Sequence, residues 1–469
     1  MYSDSRGLAI TVSDGSSVER FDAVVSGYLG ARKDTPDHVA ALIADDPRCV
    51  LAFCLQGYLL LHAGKPECHT RARAVYSRAA RAAAGDITVR ESLHLAALQA
   101  WIAGDFAGAV DRWEAILSYF PLDILALRLA QFMTSYLGRS AAIRDSVSRV
   151  FPAWDMGVPG YGFVLGCYAY GLEEAGDYAA GETFGRRAVE INPTDLWAAH
   201  AVTHVMEMQG RPRDGISWVG DLHEQWRECN NFVMHLWWHQ CLFYLAMSQH
   251  DRVLELYDSS VRGQSTDEYL DIANATALLW RLEQAGVDVG HRWEELAQRS
   301  AVHLDDHLFV FADLHYGMAV AASGEEHSVE RFLKSCRRFA DSGGGTESQV
   351  MAEVGLPVAE AIVAHRLRRF AEASDLLLPI RELIWKIGGS HAQRDLFEQL
   401  LIDSVVRGGR GELATTLLSE RTGRRPHDIW SWKNLAAVLS VMGDTVAAAK
   451  AHAEVVRVMG EGASSKRIA

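Results

Sequence analysis

His200, His204 and Glu207 stand at i, i+4 and i+7 within LWAAHAVTHVMEM, so a helix there carries all three on one face. His235 and His239, in HLWWHQ, repeat the i, i+4 step, with Trp237 and Trp238 turned away from their common face. Two such helices facing each other would gather four imidazoles and a carboxylate. Neutral imidazole suits zinc or iron, so His200, His204, His235 and His239 are read as candidate metal ligands. The spacing is not the HExxH of a zinc protease, because the glutamate follows the second histidine. The same face in a buried helix can also serve a structural hydrogen-bond network, and both readings are open.

The stretch DDHLFVFADLHYGMAVAASG adds Asp306, His307, Asp313 and His315. Read as one helix, it puts Asp306 and Asp313 on one face and turns His315 away from Asp306. Asp306 is a fifth candidate ligand, although Asp305 and Asp306 would equally cap a helix N-terminus. In IGGSHAQRDLF a Gly-Gly turn leads into a helix capped by Ser390, with Arg394 and Asp395 one turn inside. Arg394 could clamp a carboxylate or phosphate there, or pair with an acidic neighbour. The resulting assignment gives Glu207, His204 and His239 catalytic acid-base roles. It gives His307, Asp313, Arg394, Asp395 and Trp238 substrate contacts. His200, His204, His235, His239 and Asp306 hold a divalent metal, zinc or iron.

The elements that must position these residues are helical repeats. Gly104-Asp105-Phe106 opens a helix that closes on Pro121, and Gly176-Asp177-Tyr178 opens one that closes on Pro193, at identical spacing. Arg368 to Ala373 and Gly443-Asp444 repeat the outline more faintly. Glycine permits the turn, Ala109 and Ala188 let helices approach closely, and proline ends the unit. These residues resemble the tetratricopeptide repeat, a helical hairpin of about 34 residues. Gly181 and Gly185 depart from it, standing where a small alanine and an aromatic are expected. On a larger scale, VRESLHLAALQAWIAGDFAGAVDRWEAIL, INPTDLWAAHAVTHVMEMQGR, HLWWHQCLFYL, DDHLFVFADLHYGMA and LLLPIRELIWKIGGSHAQRDLFEQLLI resemble the tetratricopeptide repeat protein 38 family. That resemblance implies a fold more than an activity.

With 469 residues the chain exceeds a single compact core, which favours a fold that grows by addition. A net charge of −14 and a pI near 5.7 predict a surface that repels nucleic acid and anionic membranes, and neither is expected as a partner. The basic runs Arg71 to Arg81 and Arg421 to Arg425 read as solvated faces or loops. Seven cysteines without a CxxC pair, and an N-terminus without an apolar leader, point to reduced thiols and a cytoplasmic protein. Trp101, Trp113, Trp197, Trp280 and Trp293 read as core. No Walker, dinucleotide or GxSxG motif supports nucleotide or serine-hydrolase chemistry.

The expected fold is all-α: a right-handed α-solenoid of degenerate tetratricopeptide hairpins with atypical capping helices. Residues 1–64 form N-terminal capping helices, 65–340 the repeats with the His/Glu-rich centre, 347–459 C-terminal repeats and 460–469 a disordered tail. Gly343 to Gly345 is the expected flexible boundary. The expected function is binding and transformation of a small molecule, of hydrolase or lyase type, in a polar pocket with or without metal. The alternative is a non-catalytic scaffold that holds a peptide or protein on its concave face, and a homo-oligomer is open in either case.

Overall fold

The Gly-Asp pairs that open the second helix of a hairpin act in succession. Gly104, Gly176 and Gly443 hold φ of +76°, +86° and +83°, a conformation that a Cβ disfavours. The following aspartate then caps the helix: Asp105 accepts from Gly108 N–H at 2.9 Å and Asp444 from Ala447 N–H at 2.9 Å. The next helix starts the same way just after the proline. Asp123 accepts from Ala126 N–H at 2.9 Å, and Asp195 from Ala198 N–H at 3.0 Å.

In the computed structural model, which describes residues 2–464, these signals produce an all-α solenoid of helical hairpins. Tyr161–Glu174 pairs with Tyr178–Ile191, Leu196–Met208 with Pro212–Leu222, Phe232–Ala246 with His250–Leu256, and Tyr269–Gln284 with Arg292–Ala301. Val310–Ser323 and Glu326–Ala340, then His391–Arg407 and Gly411–Arg424, continue the series. A two-stranded antiparallel pair, Tyr2–Ser3 with Ala9–Ile10, precedes the first helix. One cluster of buried apolar side chains extends from Ile10 to Ala451. Among the described residues no helix is long and apolar enough to cross a membrane.

The glycines that break the repeat pattern bring the site helices close. A Cβ at Gly185 would come 2.5 Å from Val202 Cγ2, so glycine lets the Tyr178–Ile191 helix press against the helix that carries His200 and His204. Ala109 and Ala188 are fully buried at hairpin seams, as expected. On the inner side, the His391–Arg407 helix packs against both Leu196–Met208 and Tyr269–Gln284. It starts where expected: Ser390 accepts from Gln393 N–H, and Gln393 in turn accepts from Ser390 N–H.

Four expectations are corrected here. The helix expected from Asp305 begins only at Val310, because the chain turns at His307, φ +48°, and Glu347 rather than an aspartate accepts from Val310 N–H. The Gly343 to Gly345 stretch is a docking point, with Thr346 N–H donating to Gly104 O at 3.0 Å. Arg421 is fully buried instead of solvated, and it bonds Asp395, Glu398, Asp428 and Ser431. The last helix, Thr445–Ser464, passes the boundary expected at Gly460; the rest of the expected tail lies outside the described residues.

Candidate metal centre

Leu196–Met208 and Phe232–Ala246 lie side by side, and the i, i+4 histidines of each face the other helix. Their Nε2 atoms converge. His200 Nε2 lies 3.0 Å from His235 Nε2, His235 Nε2 lies 3.2 Å from His239 Nε2, and His239 Nε2 lies 3.1 Å from His204 Nε2. One ligand nitrogen from each of the four rings falls within 4.8 Å of the others. Two ligands bound at ~2.1 Å to one metal stand about 3.0 Å apart at a right angle and about 3.4 Å apart at a tetrahedral angle. The observed edges fall in that range.

The far side of three rings is held by an acceptor. His204 Nδ1 meets Glu173 Oε2 at 3.2 Å, His239 Nδ1 meets Glu207 Oε2 at 2.8 Å, and His235 Nδ1 meets Asn274 Oδ1 at 3.1 Å. Such partners fix the Nδ1–H tautomer and direct the Nε2 lone pair inward, the usual outer arrangement around a histidine-ligated metal. His200 Nδ1 has no partner. All four rings are at least 97% buried, and the Trp238 ring stacks on His235 at 5.1 Å and 13°.

Burial keeps the set largely uncharged. It pushes the pKa of His200 and His239 well below the usual histidine value and that of His235 down to about 3, with the neighbouring imidazoles adding to the effect. At His204 burial opposes protonation, but Glu173 with Glu174 and Glu207 together outweigh it and raise the pKa. Burial raises Glu173, against the pull of His204, and pushes Glu207 up to about 7.

Protons alone serve two of the three Nε2 contacts. A protonated His204 can donate to His239 Nε2, and an Nε2–H tautomer of His200 can donate to His235 Nε2. With Glu207 ionised and the Asn274 amide oxygen toward His235, the His235–His239 contact remains lone pair against lone pair. A cation in the centre removes that conflict.

Two cavities flank the cluster. One of about 280 Å³ reaches His200 and His235; the other, of about 260 Å³, reaches Glu207 together with Arg281, Asp395 and Arg425. His204 and His239 border neither. The accessible edge of the cluster is therefore the His200–His235 edge.

The other expected site residues lie elsewhere. Asp306 accepts from His303 Nδ1 at 2.6 Å and is not part of the histidine cluster, because it precedes the helix that was to carry it there. His307 pairs with Asp313 at 3.0 Å and with Ser335 Oγ at 2.8 Å, and His315 Nδ1 donates to Phe311 O at 2.7 Å. Arg394 donates to Gly389 O and lies 3.6 Å from Glu174, so it braces its own turn and pairs with an acidic neighbour, the second of the two readings open from sequence. Asp395 is bound by Arg421 at 2.6 Å and by Arg425 at 2.7 Å, yet it also faces the second cavity with Glu207. Trp238 is buried behind His235 and lines neither cavity flanking the cluster. Trp197, expected in the core, lines the first cavity.

Sequence reasoning missed Glu173, Asn274 and Arg128. Glu173 ends the apolar helix YGFVLGCYAYGLEE, where an acid reads as a solvated helix end. Asn274 and Arg128 are polar residues within largely apolar helices, a signal that was legible but had no partner in sequence.

No family model matches the chain. Among solved structures, the human IFIT1 dimer with m7Gppp-AAAA is similar at 14% identity and a TM-score of 0.40, over 96% of each chain. The human IFIT1 dimer with PPP-AAAA gives 13% and 0.41, over 96% of this chain and 95% of that one. The Naa15/Naa10 complex bound to HypK-THB gives 11% and 0.25, over 93% of this chain and 68% of that one. At these overlaps the likenesses say nothing of ligand or partner.

Proposed function

We propose that this helical-repeat protein holds a divalent metal on His200, His204, His235 and His239 and uses it to bind and transform a small molecule. One observation carries the reading: His235 and His239 bring their Nε2 atoms to 3.2 Å while the Nδ1 atoms of both rings face acceptors. Four imidazoles are a donor set for zinc, iron, copper or nickel. A six-coordinate ion would keep two positions for water or substrate, reached along the His200–His235 edge. There it would act as a Lewis acid or activate water. Glu207 and Glu173 stand behind ligands and orient them, so Glu207 is a positioning residue rather than the general base expected from sequence.

The test is metal content by elemental mass spectrometry on tag-free protein, beside folded His204→Ala and His239→Ala variants. Near-stoichiometric metal in the native protein and little in either variant is the expected result, and the element found narrows the chemistry to hydrolytic or redox. No metal in any of them, even after reconstitution under reducing conditions, would overturn the reading. The histidines would then be a structural network, and a scaffold that binds a peptide or protein would come first. The resemblance to the tetratricopeptide repeat protein 38 family is consistent with either outcome.

A further inference from the structure

The cavity beside His200 and His235 holds a cation without a counter-ion. Its wall includes Tyr28, Phe132, Tyr136, Tyr170, Trp197 and Phe232, together with Arg128. The Arg128 guanidinium lies 3.7 Å over the Trp197 ring, and its Nη1 is shielded from solvent with no hydrogen-bond partner. No ion pair within 4.0 Å involves Arg128 among the described residues. Trp197 in turn lies 5.1 Å from the His200 ring, whose Nδ1 is also without a partner. A shielded donor with no acceptor costs free energy, more so when it carries charge, so Arg128 on this cavity wall calls for an acceptor that is not part of the chain.

The geometry points to a small aromatic carboxylate as the occupant. Its carboxylate pairs with Arg128 and its apolar body lies among the rings, which brings it to the His200–His235 edge of the metal centre. A monoanion fits better than a phosphate dianion, because the other cations that line the cavity, Arg32 and Lys33, are paired with Asp34 and Glu228, and the acidic Glu268 lines it too. Aromatic walls with one unpaired charged group are a common makeup for such sites. The anion site stands on its own geometry; only the part played by the metal rests on the proposed function.

The test is calorimetric titration of the full-length protein with benzoate, 3-phenylpropanoate and indole-3-acetate, each beside its primary amide. Metal-loaded protein, metal-stripped protein, Arg128→Gln and His204→Ala are compared. At least one acid should bind tenfold or more tightly than its amide, and Arg128→Gln should lose that preference while keeping native metal content and melting temperature. Equal binding of acid and amide, no acid binding below about 1 mM, or an acid preference that survives in Arg128→Gln overturns the inference. If Arg128→Gln does not fold, the acid-to-amide ratio of the wild type decides alone. Metal missing from the wild type with acid preference intact would defeat the metal centre and leave the anion site standing. Metal present without acid preference would do the reverse.

Discussion

His235 Nε2 lies 3.2 Å from His239 Nε2, one turn apart on the same helix, while Asn274 and Glu207 hold the opposite ring nitrogens. With Glu207 ionised, two lone pairs are thereby aimed at each other in a largely buried site. Bound metal relieves this only in the folded state, so it stabilises by mass action, about 2.7 kcal/mol at a hundredfold excess over Kd. Scaled to a chain of this length, stripping the metal should lower Tm by about 3 °C. Metal should leave the Tm of His239→Ala unchanged in differential scanning calorimetry.

Glu207 tests the outer layer. Its carboxylate takes the His239 Nδ1 proton at 2.8 Å and thereby directs the Nε2 lone pair inward. Glu207→Ala should weaken metal binding about 10- to 100-fold in competition with a chromogenic chelator. Glu207→Gln keeps an oxygen acceptor and should fall between that variant and the wild type.

Arg421 tests the buried ion network that sequence reading took for a solvated run. It bonds Asp395 at 2.6 Å and Glu398 at 2.6 Å; burial opposes its charge, but these acids and Asp428 together hold its guanidinium firmly charged. Arg421→Met leaves Asp395 with Arg425 and Arg281 as its nearby cations, and should cost about 3–5 kcal/mol by urea unfolding. The Arg421→Met/Asp395→Asn double variant should cost less than the sum of its singles, because the uncompensated charge is gone.

Glu347 sets a pH dependence away from the histidines. Its buried carboxyl accepts from Val310 N–H at 2.5 Å, and burial pushes its pKa up to about 8. The folded state therefore holds a proton that the unfolded chain releases near its ordinary value of 4.5. Its contribution to stability is fully present below about pH 4.5 and is lost as pH rises toward 8. Glu347→Gln keeps an acceptor for Val310 and cannot ionise. Its Tm should fall less than that of the wild type over this window, and parallel Tm curves would count against the assignment.

What the sequence by itself determined is local. Gly176-Asp177 and Pro193 mark a hairpin because a positive φ, an N-cap and a missing N–H are properties of one or two residues. His200 with His204, and His235 with His239, share faces because one turn of helix separates them. Tertiary structure decided which faces meet. Only packing brings the helices of His200 and His235 together, sets Glu173 behind His204 and Asn274 behind His235, and leaves Arg128 on a cavity wall. The same long-range contacts overrule local pattern where they conflict. Asp306 leaves the expected helix face because the chain turns at His307, and Arg421 is buried because Asp395 and Glu398, from the facing helix of its hairpin, compensate its charge. Periodicity specifies the side of one helix, and the free energy of burying charged and apolar groups selects its partner.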